Sequence, residues 1–142
     1  MIEVRRATSD ADWQACKAIR FAVFVDEQQV PSALELDALD AGARHWLAMD
    51  GERPVGTARA VTLPDGWKVG RVAVLGELRG QGVGNALMRV IASEARLAGA
   101  RKLMLESQVH AMPFYAKLGY VPEGDEFLEA GIPHRKMVLA LD

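Results

Sequence analysis

Apolar and polar residues alternate from Ile2 to Ala7, the period of a half-buried strand. From Ser9 the period lengthens. Trp13, Cys16, Ile19, Arg20, Val23 and Phe24 recur at three- and four-residue steps, which predicts a helix with one largely apolar face. Ser9 and Asp12 stand at capping-box spacing at its start, and the helix is expected to stop near Asp26. No clean period holds from Asp26 to Arg44, a stretch that reads as a loop with one helical turn. Strand patterning then returns. His45 to Met49, Val55 to Leu63 and Trp67 to Leu75 are three antiparallel strands, joined at Asp50-Gly51-Glu52-Arg53 and at Pro64-Asp65-Gly66. In the second turn Pro presets φ and Gly tolerates positive φ.

After Leu75 the pattern changes again. Gly80, Gly82 and Gly84 open a helix with apolar positions at Val83, Leu87, Val90, Ile91 and Ala98, and Gly99 is placed to end it. Lys102 to Glu106 is an apolar strand. Met112 to Leu118 is a short helix stopped by Gly119, Tyr120 starts a strand, and Arg135 to Leu141 is the last one. The order β-α-β-β-β-α-β-α-β-β describes a mixed α/β domain with a strand-helix-strand unit in its second half. At 142 residues, without repeats or a linker, residues 1–142 form one domain.

Composition narrows the function. Half the residues are hydrophobic and 25% are charged, which excludes a disordered tail or a fibrous repeat. A formal charge of −2 argues against nucleic acid or an anionic membrane as partner. Cys16 has no second cysteine to pair with, and no apolar run is long enough for a span or a signal peptide. A cytoplasmic protein is the expectation.

The segment Arg79-Gly80-Gln81-Gly82-Val83-Gly84 lies between a strand and a helix. Unpaired N–H groups at a helix N-terminus carry partial positive charge, and glycines let a phosphate approach the backbone. The Gly-Lys-Ser/Thr of a P-loop is absent. A dinucleotide fingerprint would need glycine at position 85 or 87, where Asn85 and Leu87 stand. That disfavours a nucleotide-binding oxidoreductase and leaves Arg-x-x-Gly-x-Gly, a pyrophosphate cradle.

The run from Gly70 to Met88 resembles the acyl-CoA-binding motif of the GNAT N-acetyltransferase superfamily. Ala111 to Tyr120, with Phe114-Tyr115 followed by Gly119-Tyr120, resembles the family's second signature at its usual separation. Phe24 to Gln28, Glu35-Leu36-Asp37 and Gly131-Ile132-Pro133-His134 are similar to the ElaA-like subgroup. The resemblance implies a single GNAT-like domain: a central mixed, mostly antiparallel sheet flanked by helices, with strands splayed to admit acyl-CoA. It implies that the backbone of Val72, Ala73 and Val74 pairs with the pantetheine arm. Amides of Arg79, Gly80, Gln81, Gly82, Val83 and Gly84 would bind the pyrophosphate. Tyr115 stands where the family often has its general acid, and the Val74 N–H where it has an oxyanion donor. Gln108 stands where the family often has Asn, a contact to the pantetheine arm.

The implied reaction moves an acetyl group from acetyl-CoA to a primary amine of a small molecule or peptide. Such transfer needs a neutral amine, a stabilised oxyanion and a leaving thiolate, with no protein nucleophile. Cys16, mid-helix and lacking a His partner, reads as core. For the base, Glu27, Glu106, His134, His110 and a water chain all stay open. The cluster Glu35, Asp37, Asp40 and His45 matches no EF-hand spacing and is expected to be a solvated acidic loop that draws a cationic acceptor, with no metal. An acyl-CoA-binding module without turnover is the alternative, and a homodimer is compatible with the resemblance.

Overall fold

The computed structural model describes residues 1–141. The first strand, β1 (Ile2–Arg6), leads into helix α1 (Asp10–Arg20). The capping box forms as expected: the Ser9 hydroxyl accepts from Asp12 N, and the Asp12 carboxylate from Ser9 N. Arg5 grips the same carboxylate at 2.8 and 2.9 Å, and these hydrogen bonds hold Asp12 at a pKa of about 2. Beyond Arg20 the helix loosens into a π-helical segment, Phe21–Glu27, in which Gln28 N donates to Val23 O at 3.1 Å.

The expected loop up to Arg44 holds more structure than its pattern shows. It contains a short helix α2 (Ser32–Glu35) and a tight turn, Ala38–Gly42, capped reciprocally by Asp37 and Asp40. No apolar stripe marks these turns, because carboxylates and ion pairs hold them.

Strands β2 (Arg44–Asp50), β3 (Arg53–Leu63) and β4 (Gly66–Val74) form the expected meander. Gly66 does not have positive φ. It is required because a Cβ there would collide with the Lys102 carbonyl. Helix α3 (Val83–Leu97), strand β5 (Lys102–Gln108), helix α4 (Met112–Lys117) and strands β6 (Val121–Glu129) and β7 (Ile132–Ala140) complete the chain. Gly99, at φ +84°, ends α3.

Among the described residues seven strands order as β1-β2-β3-β4-β5-β7-β6, and the only parallel pair there is β4 with β5. Alternation along β2 divides the core: Trp46 and Ala48 face the α3 side with Leu87 and Ile91, while Leu47 faces α1 with Cys16, Ile19 and Val23. Among the described residues no helix is long and apolar enough to cross a membrane.

Candidate active site

Strands β4 and β5 pair only from Gly66 with Lys102 to Val69 with Leu105. Both continue, β4 to Val74 and β5 to Gln108, yet beyond these residues they part. A β-bulge separates them. On β3 the partner of Thr57 is Ala73, but that of Arg59 is Gly70, so β4 carries extra chain at Arg71 and Val72. Arg71 takes φ +52°, a conformation uncommon for a side chain. The result is a wedge-shaped cleft with the backbone of Val72, Ala73 and Val74 along one wall and Glu106 to Gln108 along the other.

The glycine loop follows the parted end of β4 and leads into α3. Gly80 and Gly82 have φ of +81° and +84°, and a Cβ on either would meet nothing within 4 Å. Gly82 is the N-cap of α3 and no side chain caps this helix. The amides of its first turn are therefore free to bind an anion. Gly84 has another role: a Cβ there would stand 3.1 Å from Phe114 Cζ, so the glycine lets α3 approach α4.

Helix α4 carries Tyr115 into the core. Its ring lies edge-on to Phe114 at 5.0 Å and to Tyr120 at 5.8 Å between centroids. Burial pushes the Tyr115 phenol up to about 12, so it stays protonated throughout the neutral range. The Tyr120 hydroxyl is buried with no hydrogen-bond partner among the described residues.

The candidate bases differ in what already holds them. Glu27, at the end of the π-helical segment, makes a two-pronged ion pair with Arg79, at 2.8 and 3.0 Å. Glu106 binds Lys68 Nζ at 2.6 Å. His134 stands opposite Gln108 in the β5–β7 register and stacks on Phe127 at 5.9 Å. Its Nδ1 lies 2.7 Å from the Ile132 carbonyl and its Nε2 3.7 Å from Glu129. A carbonyl only accepts, so Nδ1 carries the hydrogen and neutral His134 keeps a lone pair on Nε2. His110 falls in the short turn Val109–Ala111 that precedes α4. Gln108 Nε2 donates to Gln28 Oε1 at 2.7 Å, joining β5 to the chain after α1.

Cys16 is fully buried, its thiol directed at the Trp46 carbonyl, and burial pushes its pKa up. It is core, as expected.

The acidic cluster is not a solvated loop. Glu35 is 1% exposed and Asp40 is largely buried, because three arginines meet them. Arg20 binds Glu35 at 2.9 Å and Asp40 at 2.8 Å, Arg59 binds Asp37 at 2.7 Å and Asp40 at 2.9 Å, and Arg71 reaches Glu35 and Asp37 at 3.4 and 3.3 Å. Burial alone would raise the Asp40 carboxyl, but hydrogen bonds from Arg20 and Arg59 outweigh it and hold the group at about 2. His45 Nε2 lies 3.0 Å from the Asp40 carbonyl. Among the described residues no group of three or more His, Cys, Asp or Glu is arranged to hold a metal ion.

Residues 8–141 match the family model described as the acetyltransferase (GNAT) domain. The chain belongs to the GNAT acetyltransferase family. It is 43% identical over 122 residues to the uncharacterized N-acetyltransferase YjcF of Bacillus subtilis, an alignment spanning 84% of this chain and 86% of that protein. The crystal structure of Escherichia coli ElaA superposes with a TM-score of 0.86 at 30% identity, covering 97% of this chain and 99% of that one. That of an acyl-CoA N-acyltransferase from Pseudomonas aeruginosa gives 0.84 at 28% identity, covering 99% of each. GNAT acetyltransferases draw their acyl group from acetyl-CoA, and the open glycine cradle and parted strands of this chain fit such a donor.

Proposed function

We propose that this GNAT acetyltransferase moves the acetyl group of acetyl-CoA to a primary amine of a small molecule or peptide, by direct attack with both substrates bound. The observation that carries the reading is the parting of β4 from β5 beyond Val69 and Leu105, with a positive-φ glycine loop between β4 and α3. Amides from Arg79 to Gly84 hold the pyrophosphate. The free edge of β4 at Val72 to Val74 holds the pantetheine arm as an added strand would, and Gln108 contacts it from the facing wall. A β4 N–H, that of Val74, donates to the carbonyl oxygen as negative charge grows there.

The amine nitrogen bonds to the acetyl carbon, the carbon–sulfur bond breaks, and the sulfur takes a proton. Tyr115 donates that proton, its phenol kept neutral by burial. The amine loses its own proton to His134. Of the acidic and imidazole candidates with described partners, Glu27 and Glu106 are each held by a cation, whereas the Nε2 of His134 faces a carboxylate, that of Glu129 at 3.7 Å. Glu129 lies close enough to steady the imidazolium that forms.

The test is a panel of primary amines with acetyl-CoA, followed by thiol release. Turnover is expected with at least one amine, and His134→Gln should lose at least tenfold in rate at unchanged acetyl-CoA affinity. Full activity in His134→Gln returns the base to Glu27, Glu106, His110 or water.

A further inference from the structure

Arg71 occupies an unusual place. It is the non-glycine residue in the left-handed region at the bulge, and it immediately precedes the β4 edge that lines the cleft. Such a conformation is disfavoured for a residue with a Cβ, and glycine would adopt it freely. The side chain supplies a reason for arginine. Its Nε donates to the Glu35 carbonyl at 3.2 Å, and its Nη2 to the Leu34 carbonyl at 3.3 Å and to Asp37 Oδ2 at 3.3 Å. These acceptors lie on α2 and the residues after it, the segment with the exposed side chains of Leu34, Leu36 and Leu39. Few apolar contacts hold that segment to the domain, so its position depends on polar links.

Two other arginines hold the same carboxylates, and one of them, Arg59, stands opposite Gly70 at the edge of the bulge. Arg20, on α1, and Arg59, on β3, fix Glu35, Asp37 and Asp40 to the body of the fold. Arg71 joins this network to the strand that bends away from β5.

We propose that Arg71 is a positioning residue that ties the bulge of β4 to the α2 segment, so that the cofactor edge and that segment move as one. The tether itself is read from the protein alone. Its consequence for catalysis rests on the reading of Val72 to Val74 as the acetyl-CoA edge. When that edge is occupied, the α2 segment tied to it is held in a fixed position.

The experiment is hydrogen exchange on the wild type and on Arg71→Met, Arg71→Gly and Arg71→Lys, each without ligand and with saturating acetyl-CoA. Methionine removes the guanidinium and keeps the bulk. Glycine also removes the tether but relieves the backbone, so it separates side chain from strain and guards against a misfolded methionine variant. Without ligand, Met and Gly are expected to speed exchange at residues 32–37 at least tenfold, with α3 unchanged. Lysine, which keeps the charge but not the fork, should recover part of the protection. With acetyl-CoA, the wild type should gain protection at residues 32–37, and Arg71→Met should not, at an acetyl-CoA Kd within threefold of wild type. Unchanged exchange at residues 32–37 in both Met and Gly variants overturns the tether. Equal ligand-induced protection in wild type and Arg71→Met overturns the coupling. Failure of wild type to bind acetyl-CoA overturns the cofactor reading and with it the coupling, while the ligand-free comparison still decides the tether.

Discussion

At the scale of single residues, Gly82 and Tyr115 bear most on the proposed chemistry. Gly82 sits at φ +84° with open space where a Cβ would be. Valine there would strain the backbone and put a branched side chain into the cradle. Gly82→Val is expected to weaken acetyl-CoA binding at least tenfold, about 1.4 kcal/mol, as read by calorimetry. Unchanged affinity would remove the cradle. Tyr115→Phe should keep the ring packing against Phe114 and Tyr120, bind acetyl-CoA as before, and lose turnover. Because burial raises the phenol to about 12, its ionisation should produce no fall in rate below pH 10. A fall near pH 9 that vanishes in Tyr115→Phe would contradict this. The glycine loop was legible as a candidate cradle from residue types at close spacing, and Tyr115 as a candidate acid from the family resemblance. Arg71 stood inside the recognised run without a role. Its proposed role comes from a bulge and from partners more than thirty residues away, which no local pattern encodes.

Elements with strong periods were predicted well, since burial on one face writes itself into the sequence. Helix α1 with its capping box, helix α3 with Gly99 at its end, and the β2–β4 meander all match. The α2 segment was not legible because ion pairs rather than an apolar stripe hold it. The splaying of β4 from β5 came from the family resemblance alone, and the bulge explains it. Close packing of α3 on the sheet gives a further test. A Cβ on Gly56 of β3 would stand 2.8 Å from Val83 Cγ1 and 3.3 Å from the Ala73 carbonyl. Gly56→Ala should destabilise the fold by about 1–3 kcal/mol, the usual cost of overpacking. Adding Val83→Ala, which removes the methyl in the way, should make the glycine substitution less costly than it is alone. If thermal melting shows the two losses simply adding, this packing account is wrong.

The whole molecule carries a formal charge of −2, a figure that hides how its charges are spent. Three arginines and three carboxylates, Arg20, Arg59 and Arg71 with Glu35, Asp37 and Asp40, form one largely buried network. Asp40 has a folded pKa of about 2 against an ordinary 3.8, and Asp37 is also lowered. A lowered folded pKa contributes stability that is present above the ordinary value and lost as pH falls through the folded one. Melting temperature should therefore drop steeply between about pH 4 and pH 2. Asp40→Asn should destabilise the protein at pH 7 by about 3 kcal/mol, since it leaves buried arginine charge unmatched, and should flatten that acid slope. An acid slope identical to wild type would take Asp40 out of the network's balance.

Acetyl-CoA binding at the parted β4 edge is the central requirement of the proposed reaction. Calorimetric titration of the intact protein with acetyl-CoA, with NADH as control, tests it most directly. The predicted result is micromolar or tighter binding of acetyl-CoA and none of NADH. No heat of binding at millimolar acetyl-CoA would contradict the account, leaving Gly80 and Gly82 as a tight turn before a helix.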